Sequence, residues 1–166
     1  MFSQRQNSQF SNDGRDLFES RQPSPAAVSQ TTGGNQPQLI LLVEDNIDSC
    51  NMLRTLLELW SYRVIVAHNG EDAVRLAQSE SPRLVLMDVA IPVIDGIEAT
   101  RRIRGFAAAE AMPVVFISGY AQTNLRLAAL ACGGNDYLVK PLDFKELETL
   151  IGKYIKKTGA SYELSE

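Results

Sequence analysis

Cysteine, tryptophan and histidine are scarce in this sequence, and long apolar runs are absent. The two cysteines, Cys50 and Cys132, lie far apart without metal-ligand spacing, so the sequence predicts neither a disulfide framework nor a cysteine metal site. Reduced, structural thiols favour a reducing compartment. No apolar run approaches the ~20 residues of a membrane span, and the polar amino-terminal stretch lacks the apolar core of a signal peptide. We therefore expect a cytoplasmic location and no membrane partner.

An excess of positive charge is also missing. The chain has 16 Lys and Arg against 20 Asp and Glu, which gives a net charge of −4. Binding to nucleic-acid phosphates requires a basic surface, so this balance argues against nucleic acid as the direct partner. The 166 residues, of which 45% are hydrophobic, suffice for one domain with a substantial core but not for two.

The composition divides the chain into three parts. Residues 1–37 are rich in Gln, Ser and Asn, and we expect a disordered leader because such a segment buries too little apolar surface to offset its ordering entropy. Residues 38–157 carry the regular apolar pattern of a folded domain. Residues 158–166 are interpreted as a short carboxyl-terminal tail.

Between the two ends, short apolar runs alternate with stretches of helical periodicity. The apolar runs predict strands at 39–43, 63–67, 84–87, 113–118 and 136–140. The periodic stretches predict helices at 46–60, 71–78, 96–104, 125–131 and 143–156. This alternation predicts an α/β fold with a doubly wound, five-stranded parallel sheet and right-handed crossovers.

Polar residues stand at or directly after the carboxyl ends of four of the predicted strands. Glu44 and Asp45 follow the first strand, Asp88 the third, Ser118 ends the fourth and Lys140 ends the fifth. Ligands of doubly wound sheets bind at the carboxyl ends of the strands, so these side chains should converge. Three carboxylates close together need a cation, and Mg²⁺ prefers such oxygens. A carboxylate beside Mg²⁺, an ammonium and a hydroxyl can also take up a phosphoryl group.

Four motifs at these strand ends give the sequence a family resemblance. They are LLVEDN, LVLMDVAIPVIDG, VVFISGY and ACGGNDYLVKP, in this order. Over roughly residues 38–157 the sequence resembles the receiver domain of two-component response regulators. The resemblance implies the flavodoxin-like (βα)5 receiver fold.

The resemblance also implies a phosphoacceptor and a metal site. Asp88 corresponds to the phosphoacceptor. The implied Mg²⁺ site consists of Asp45 as direct ligand, Glu44 acting through water, Asp88 itself and the backbone carbonyl of Ala90. These positions make Mg²⁺ the expected cofactor.

The resemblance implies roles at three further positions: Ser118 and Lys140 belong with Asp88 to the catalytic residues, and Ser118 and Tyr137 form the switch. Ser118 matches the hydroxyl that follows the phosphoryl group, Lys140 the lysine that pairs with it, and Tyr137 the aromatic switch. The family also has a cis peptide bond at the position of Lys140–Pro141.

The function implied is that of a single-domain response regulator, because no output domain follows Lys157. Such a protein accepts a phosphoryl group from a histidine kinase or a histidine phosphotransfer protein. It then acts as a phosphorelay intermediate, as a switch that binds another protein, or as a phosphate sink. It is not expected to be an enzyme beyond slow autodephosphorylation. The cognate kinase, the downstream target and the oligomeric state stay open.

Two other functions share parts of this pattern. A flavodoxin-type electron carrier needs a phosphate-cradling loop after the first strand, whereas Glu44-Asp45-Asn46 would repel phosphate. A phosphatase with an Asp nucleophile needs a second acid two residues later, where Ala90 stands. These residues argue against both functions, and an absence of colour in the purified protein would exclude the flavin carrier.

Several other residues receive plain structural interpretations. His68 is interpreted as a loop residue, and Arg101, Arg102 and Arg104 as a solvated helix face. On the first helix, Leu53, Leu57 and Trp60 should face the core. Met52 should lie outside, where it could contact a phosphotransfer partner.

Overall fold

The computed structural model of the protein describes residues 36–106 and 112–155. Within these ranges five strands alternate with five helices. They are β1 (Leu39–Val43), α1 (Ile47–Leu59), β2 (Arg63–Ala67), α2 (Gly70–Glu80), β3 (Leu84–Asp88), α3 (Gly96–Arg104), β4 (Val114–Ser118), α4 (Thr123–Ala131), β5 (Asp136–Val139) and α5 (Phe144–Tyr154). The predicted elements are confirmed, with ends that differ by up to two residues. Residues 1–35 of the proposed leader and the whole of the proposed tail lie outside the described residues.

All five strands form one parallel sheet in the order β2-β1-β3-β4-β5. The chain runs outward from β1 to β2 and then returns to the other side of β1, so the strand order reverses between β1 and β3. Their register pairs Leu42 with Leu86 and Val43 with Met87. The residues that follow β1 and end β3 therefore lie side by side at the reversal, where ligands of such sheets bind.

Helices cover both faces of the sheet, which explains why its strands read as continuous apolar runs. Alternate residues of β1 enter different clusters, because side chains of a strand point to opposite faces. Leu41 and Val43 pack with apolar residues of α2 and α3. Ile40 and Leu42 pack with α1 and α5, where Leu57 is fully buried. Truncating such a buried leucine typically costs about 2–5 kcal/mol.

Capping side chains fix where the helices begin beside the carboxyl edge of the sheet. Asn46 accepts a hydrogen bond from the amide of the first turn of α1, Asn69 from that of α2, and Asp95 from that of α3. Asp143 caps α5 by accepting hydrogen bonds from the amides of Lys145 and Glu146. Gly133, just after α4, has φ +104°, a left-handed conformation that glycine commonly supplies at the end of a helix.

Arg104 differs from the expectation of a solvated arginine face. Its guanidinium donates to the carbonyl of Gly133 and to Oδ1 of Asn135, both at 2.9 Å. Arg104 thus links the end of α3 to the segment between α4 and β5. Arg101 and Arg102 are exposed, as predicted. Among the described residues, no helix combines the length and apolar character that crossing a membrane requires.

Candidate functional site

Three carboxylates meet where the strand order reverses. Glu44 and Asp45 come directly after β1, and Asp88 is the last residue of β3. One carboxylate oxygen from each residue lies within 4.8 Å of the other two. Glu44 is 2% exposed and Asp88 6%, whereas Asp45 is exposed to solvent. The structure therefore brings together the three acids that the sequence placed at these strand ends.

Lys140 connects the two buried acids. Its Nζ donates to Oε2 of Glu44 and to Oδ2 of Asp88, both at 2.6 Å. Burial would lower the pKa of the Lys140 ammonium, but its hydrogen bonds to Asp88 and Glu44 outweigh that effect and raise it. Lys140 therefore stays protonated near neutral pH. The Lys140–Pro141 peptide bond is cis.

Burial also raises the pKa of Glu44, although the hydrogen bond from Lys140 opposes this shift. The other oxygens of the two buried acids bind backbone amides. Oε1 of Glu44 accepts from Asn46 at 3.2 Å, and Oδ1 of Asp88 accepts from Ala90 at 2.9 Å. These contacts fix both carboxylates in orientation, so the site is largely formed in advance.

The donor set suits a hard divalent cation. Three carboxylates face one ammonium, which leaves the cluster with an excess of negative charge. The acidic cluster of Glu44, Asp45 and Asp88 could bind a metal ion, and oxygen ligands with an exposed opening for water are the environment that Mg²⁺ prefers.

Ser118 and Tyr137 are linked through one backbone segment. The Ser118 hydroxyl oxygen accepts a hydrogen bond from the amide of Tyr120 at 3.1 Å. The hydroxyl of Tyr137 donates to the carbonyl of Tyr120 at 2.7 Å. Both Ser118 and Tyr137 are buried, while the side chain of Tyr120 is exposed. The backbone of Tyr120 thus connects the two residues expected to act as a switch, a contact that sequence reasoning did not find.

Comparison with known families agrees with this geometry. Residues 40–152 match the model of the response regulator receiver domain. The chain belongs to that family. A 14.6 kDa protein of Leptolyngbya boryana is 41% identical over 115 residues, which cover 69% of this chain and 88% of that protein. The transcriptional regulatory protein ZraR of Klebsiella oxytoca is 36% identical over 74% of this chain, but the match spans only 27% of ZraR.

Solved receiver structures share the fold. The receiver domain of the sensor histidine kinase PA1611 from Pseudomonas aeruginosa, which holds a magnesium ion in its active-site cleft, has a TM-score of 0.68 and 36% identity. The similarity covers 71% of this chain and 97% of that domain. The chemotaxis protein CheY4 of Vibrio cholerae has the same TM-score at 24% identity and covers 72% of this chain and 99% of CheY4, so it supports the fold alone.

His68 forms a hydrogen bond to the backbone beside the acidic cluster. It lies in the loop after β2, as predicted, and its Nδ1 is 2.9 Å from the carbonyl oxygen of Glu44. Because a carbonyl can only accept, Nδ1 carries the proton in this contact. His68 therefore helps to hold the backbone at the end of β1. Nothing in the local sequence pattern predicts this hydrogen bond.

An apolar groove adjoins the receiver site on the side of α1. It has a volume of about 260 Å³ and is lined by Ser49, Met52, Leu53, Lys140, Pro141, Leu142 and Phe144. Met52 and Phe144 are both partly exposed at its rim. On α1 the predicted division is confirmed, since Leu53 and Leu57 are buried and Met52 is exposed. Trp60 is half-buried and packs against the same core.

Proposed function

We propose that Asp88 of this receiver accepts a phosphoryl group from a phosphohistidine. The observation that carries the proposal is the contact of Lys140 with the buried Asp88 carboxylate beside two further acids. A carboxylate oxygen of Asp88 forms a bond to phosphorus as the bond from phosphorus to the donor imidazole nitrogen breaks. The nitrogen keeps the electron pair, and an acyl phosphate remains on the receiver.

Asp45, Asp88 and the backbone carbonyl of Ala90 would hold Mg²⁺, with Glu44 acting through water. When bound, Mg²⁺ supplies positive charge beside the transferred phosphoryl oxygens. Lys140 already contacts Asp88 and would donate to one of those oxygens after transfer. The preformed orientation of Asp88 limits the reorganisation that transfer requires.

Ser118 and Tyr137 would transmit the effect of phosphorylation to the surface. A phosphoryl dianion recruits the Ser118 hydroxyl, and its movement disturbs the hydrogen bond from the Tyr120 amide. Because the Tyr137 hydroxyl donates a hydrogen bond to the Tyr120 carbonyl, the environment of Tyr137 changes as well. This is a local charge event that biases a two-state element. The surface of α4, β5 and α5 would then serve as the output face.

The partners that fit this chemistry are a histidine kinase or a histidine phosphotransfer protein. The exposed Met52, in a groove that Lys140 also lines, would give a donor helix an apolar surface to contact. The receiver unit would span residues 38–157 and act as a relay intermediate or protein-binding switch rather than as an enzyme. The size of the Leptolyngbya relative supports the idea that a receiver can form most of a small protein.

Phosphorylation by acetyl phosphate tests the assignment. Wild type should be labelled in Mg²⁺, while Asp88→Asn and wild type in excess EDTA should not. Asp48→Asn is the matched control, because Asp48 is an exposed acid in the first turn of α1 and should be labelled normally. Equal labelling of Asp88→Asn and wild type would rule out Asp88 as the acceptor.

A further inference from the structure

The loop of residues 89–95, between β3 and α3, carries Ala90 and is anchored at both ends. At its start the amide of Ala90 donates to Asp88, and the carbonyl of Val89 accepts from Gly96 at 3.0 Å. Gly96 itself is crowded, since a Cβ atom there would lie 2.2 Å from the carbonyl oxygen of Asp88. The course of the loop therefore determines where the backbone of Ala90 lies.

The middle of the loop forms a tight turn at Val93. The amide of Ile94 donates to the carbonyl of Pro92 at 3.0 Å, and Val93 between them has φ +72°. A β-branched residue rarely adopts this backbone conformation, which carries strain. The Val93 side chain is 68% exposed, so its own packing does little to hold the turn. Other contacts must stabilise it.

The first residue of α2 supplies those contacts. The amide of Gly70 donates to the carbonyl of Pro92 at 3.3 Å. A Cβ atom on Gly70 would lie 2.3 Å from the carbonyl oxygen of Ile94, a distance that only glycine tolerates. The helix start is fixed independently, because Oδ1 of Asn69 accepts from the amide of Asp72 at 2.8 Å. The loop thus rests, backbone against backbone, on a capped helix end.

We infer that Gly70 is a positioning residue for the metal ion. Its close contact with the turn at Val93 determines the path of the loop, and that path determines where the Ala90 carbonyl lies. The inference rests on the proposed function, in which that carbonyl is a ligand. A side chain at residue 70 must push α2 and the loop apart. The loop would then shift at Ala90, although the contacts of residue 70 described above are with Pro92 and Ile94.

Direct titration of Mg²⁺ into Gly70→Ala tests this role. We expect roughly tenfold weaker binding, the lower end of what is lost when a group that orients ligands is removed. Gly134→Ala is the matched control. Its Cβ would lie 2.6 Å from the carbonyl oxygen of Ala129, but Gly134 precedes β5 and so lies at the amino ends of the strands, away from the site. It should lower the melting temperature in EDTA as Gly70→Ala does, while leaving the Mg²⁺ affinity unchanged. Equal Mg²⁺ affinity of Gly70→Ala and wild type would overturn the inference.

Hydrogen exchange in the wild type provides a test that does not depend on the variant folding. Coupling between two sites is reciprocal, so Mg²⁺ should slow exchange of the Gly70 amide by up to roughly tenfold. The amide of Ala73, which donates to the carbonyl of the cap residue Asn69 rather than to the loop, should change much less. Unchanged exchange at Gly70 in a protein that binds Mg²⁺ would contradict the coupling. Asp45→Ala lacks a proposed ligand and serves as the reference that should not bind Mg²⁺. If the wild type binds no more Mg²⁺ than Asp45→Ala does, the proposed metal site is overturned and this role of Gly70 with it.

Discussion

Replacing Lys140 with methionine removes the charge that stabilises two buried acids. The ammonium donates to Glu44 and Asp88 at 2.6 Å, and these carboxylates are 2% and 6% exposed. Methionine has a comparable length but donates no hydrogen bond, so both carboxylates lose the group that neutralises them. In EDTA no divalent ion can take its place.

The expected loss is large because the site is buried. The Lys140 side chain is only 27% exposed, so solvent screens its two ion pairs weakly. Removing one partner of a buried ion pair typically costs about 3–5 kcal/mol, a large part of the roughly 5–15 kcal/mol that stabilises a native domain. We therefore expect Lys140→Met to lower the free energy of unfolding in EDTA by about 3 kcal/mol or more.

Magnesium should reverse much of that loss. Lys140 and Mg²⁺ neutralise the same carboxylates, so Lys140→Met should bind the ion more tightly than wild type does. At 100 times the dissociation constant, a ligand adds about 2.7 kcal/mol to the free energy of unfolding. Urea denaturation in EDTA and in Mg²⁺ measures both quantities.

Lys153→Met is the matched control. Lys153 pairs with Asp136 at 3.2 Å, but its side chain is 61% exposed. An exposed pair contributes at most about 1 kcal/mol, and Mg²⁺ should not change the effect of this variant. A loss in Lys140→Met as small as that in Lys153→Met would refute the reasoning, because the buried acids would then not depend on Lys140.

Three further predictions, tested with four variants and one control, concern the switch, the docking surface and the phosphoryl lifetime. Tyr137→Phe keeps the ring but loses the hydrogen bond to the Tyr120 carbonyl, so the free energy of unfolding should fall by about 1 kcal/mol. Phosphorylation should also change partner binding less than it does in the wild type. An unchanged effect of phosphorylation on partner binding would contradict the route through Ser118 and Tyr137. Met52→Lys should slow transfer from a protein donor and leave labelling by acetyl phosphate unchanged, whereas Leu59→Lys, exposed at the far end of α1, should alter neither. Ala90→Asn and Tyr120→Glu should speed phosphate release in saturating Mg²⁺, because Ala90 offers no group to hold water and Tyr120 can cover the phosphoryl group; if neither does, other residues set the lifetime.

The order of elements and the meeting of the acids could be predicted from sequence because they depend on local patterns. Continuous apolar runs indicated a parallel sheet, and the carboxyl ends of parallel strands share one edge. Glu44, Asp45 and Asp88 were therefore placed together correctly, as was Lys140. The caps of the helices follow from side chains adjacent in sequence, as Asp143 shows.

Contacts that depend on the path of loops could not be predicted. Arg104 has the sequence context of a solvated helix face, yet acceptors from the segment between α4 and β5 surround its guanidinium. The bond between Tyr137 and the Tyr120 carbonyl depends on how the chain leaves β4. The contact of Gly70 with Ile94 joins two segments distant in sequence, and a single glycine gives no sign of its partner.

The most direct test of the central claim is to locate the phosphoryl group chemically. Borohydride reduces an aspartyl phosphate in the phosphorylated protein to homoserine, and peptide mass spectrometry locates the homoserine. The account predicts homoserine at position 88 after phosphorylation by acetyl phosphate in Mg²⁺, and none after incubation in EDTA. Homoserine at Asp45 or Asp48 instead, or phosphate bound with no homoserine at position 88, would contradict it.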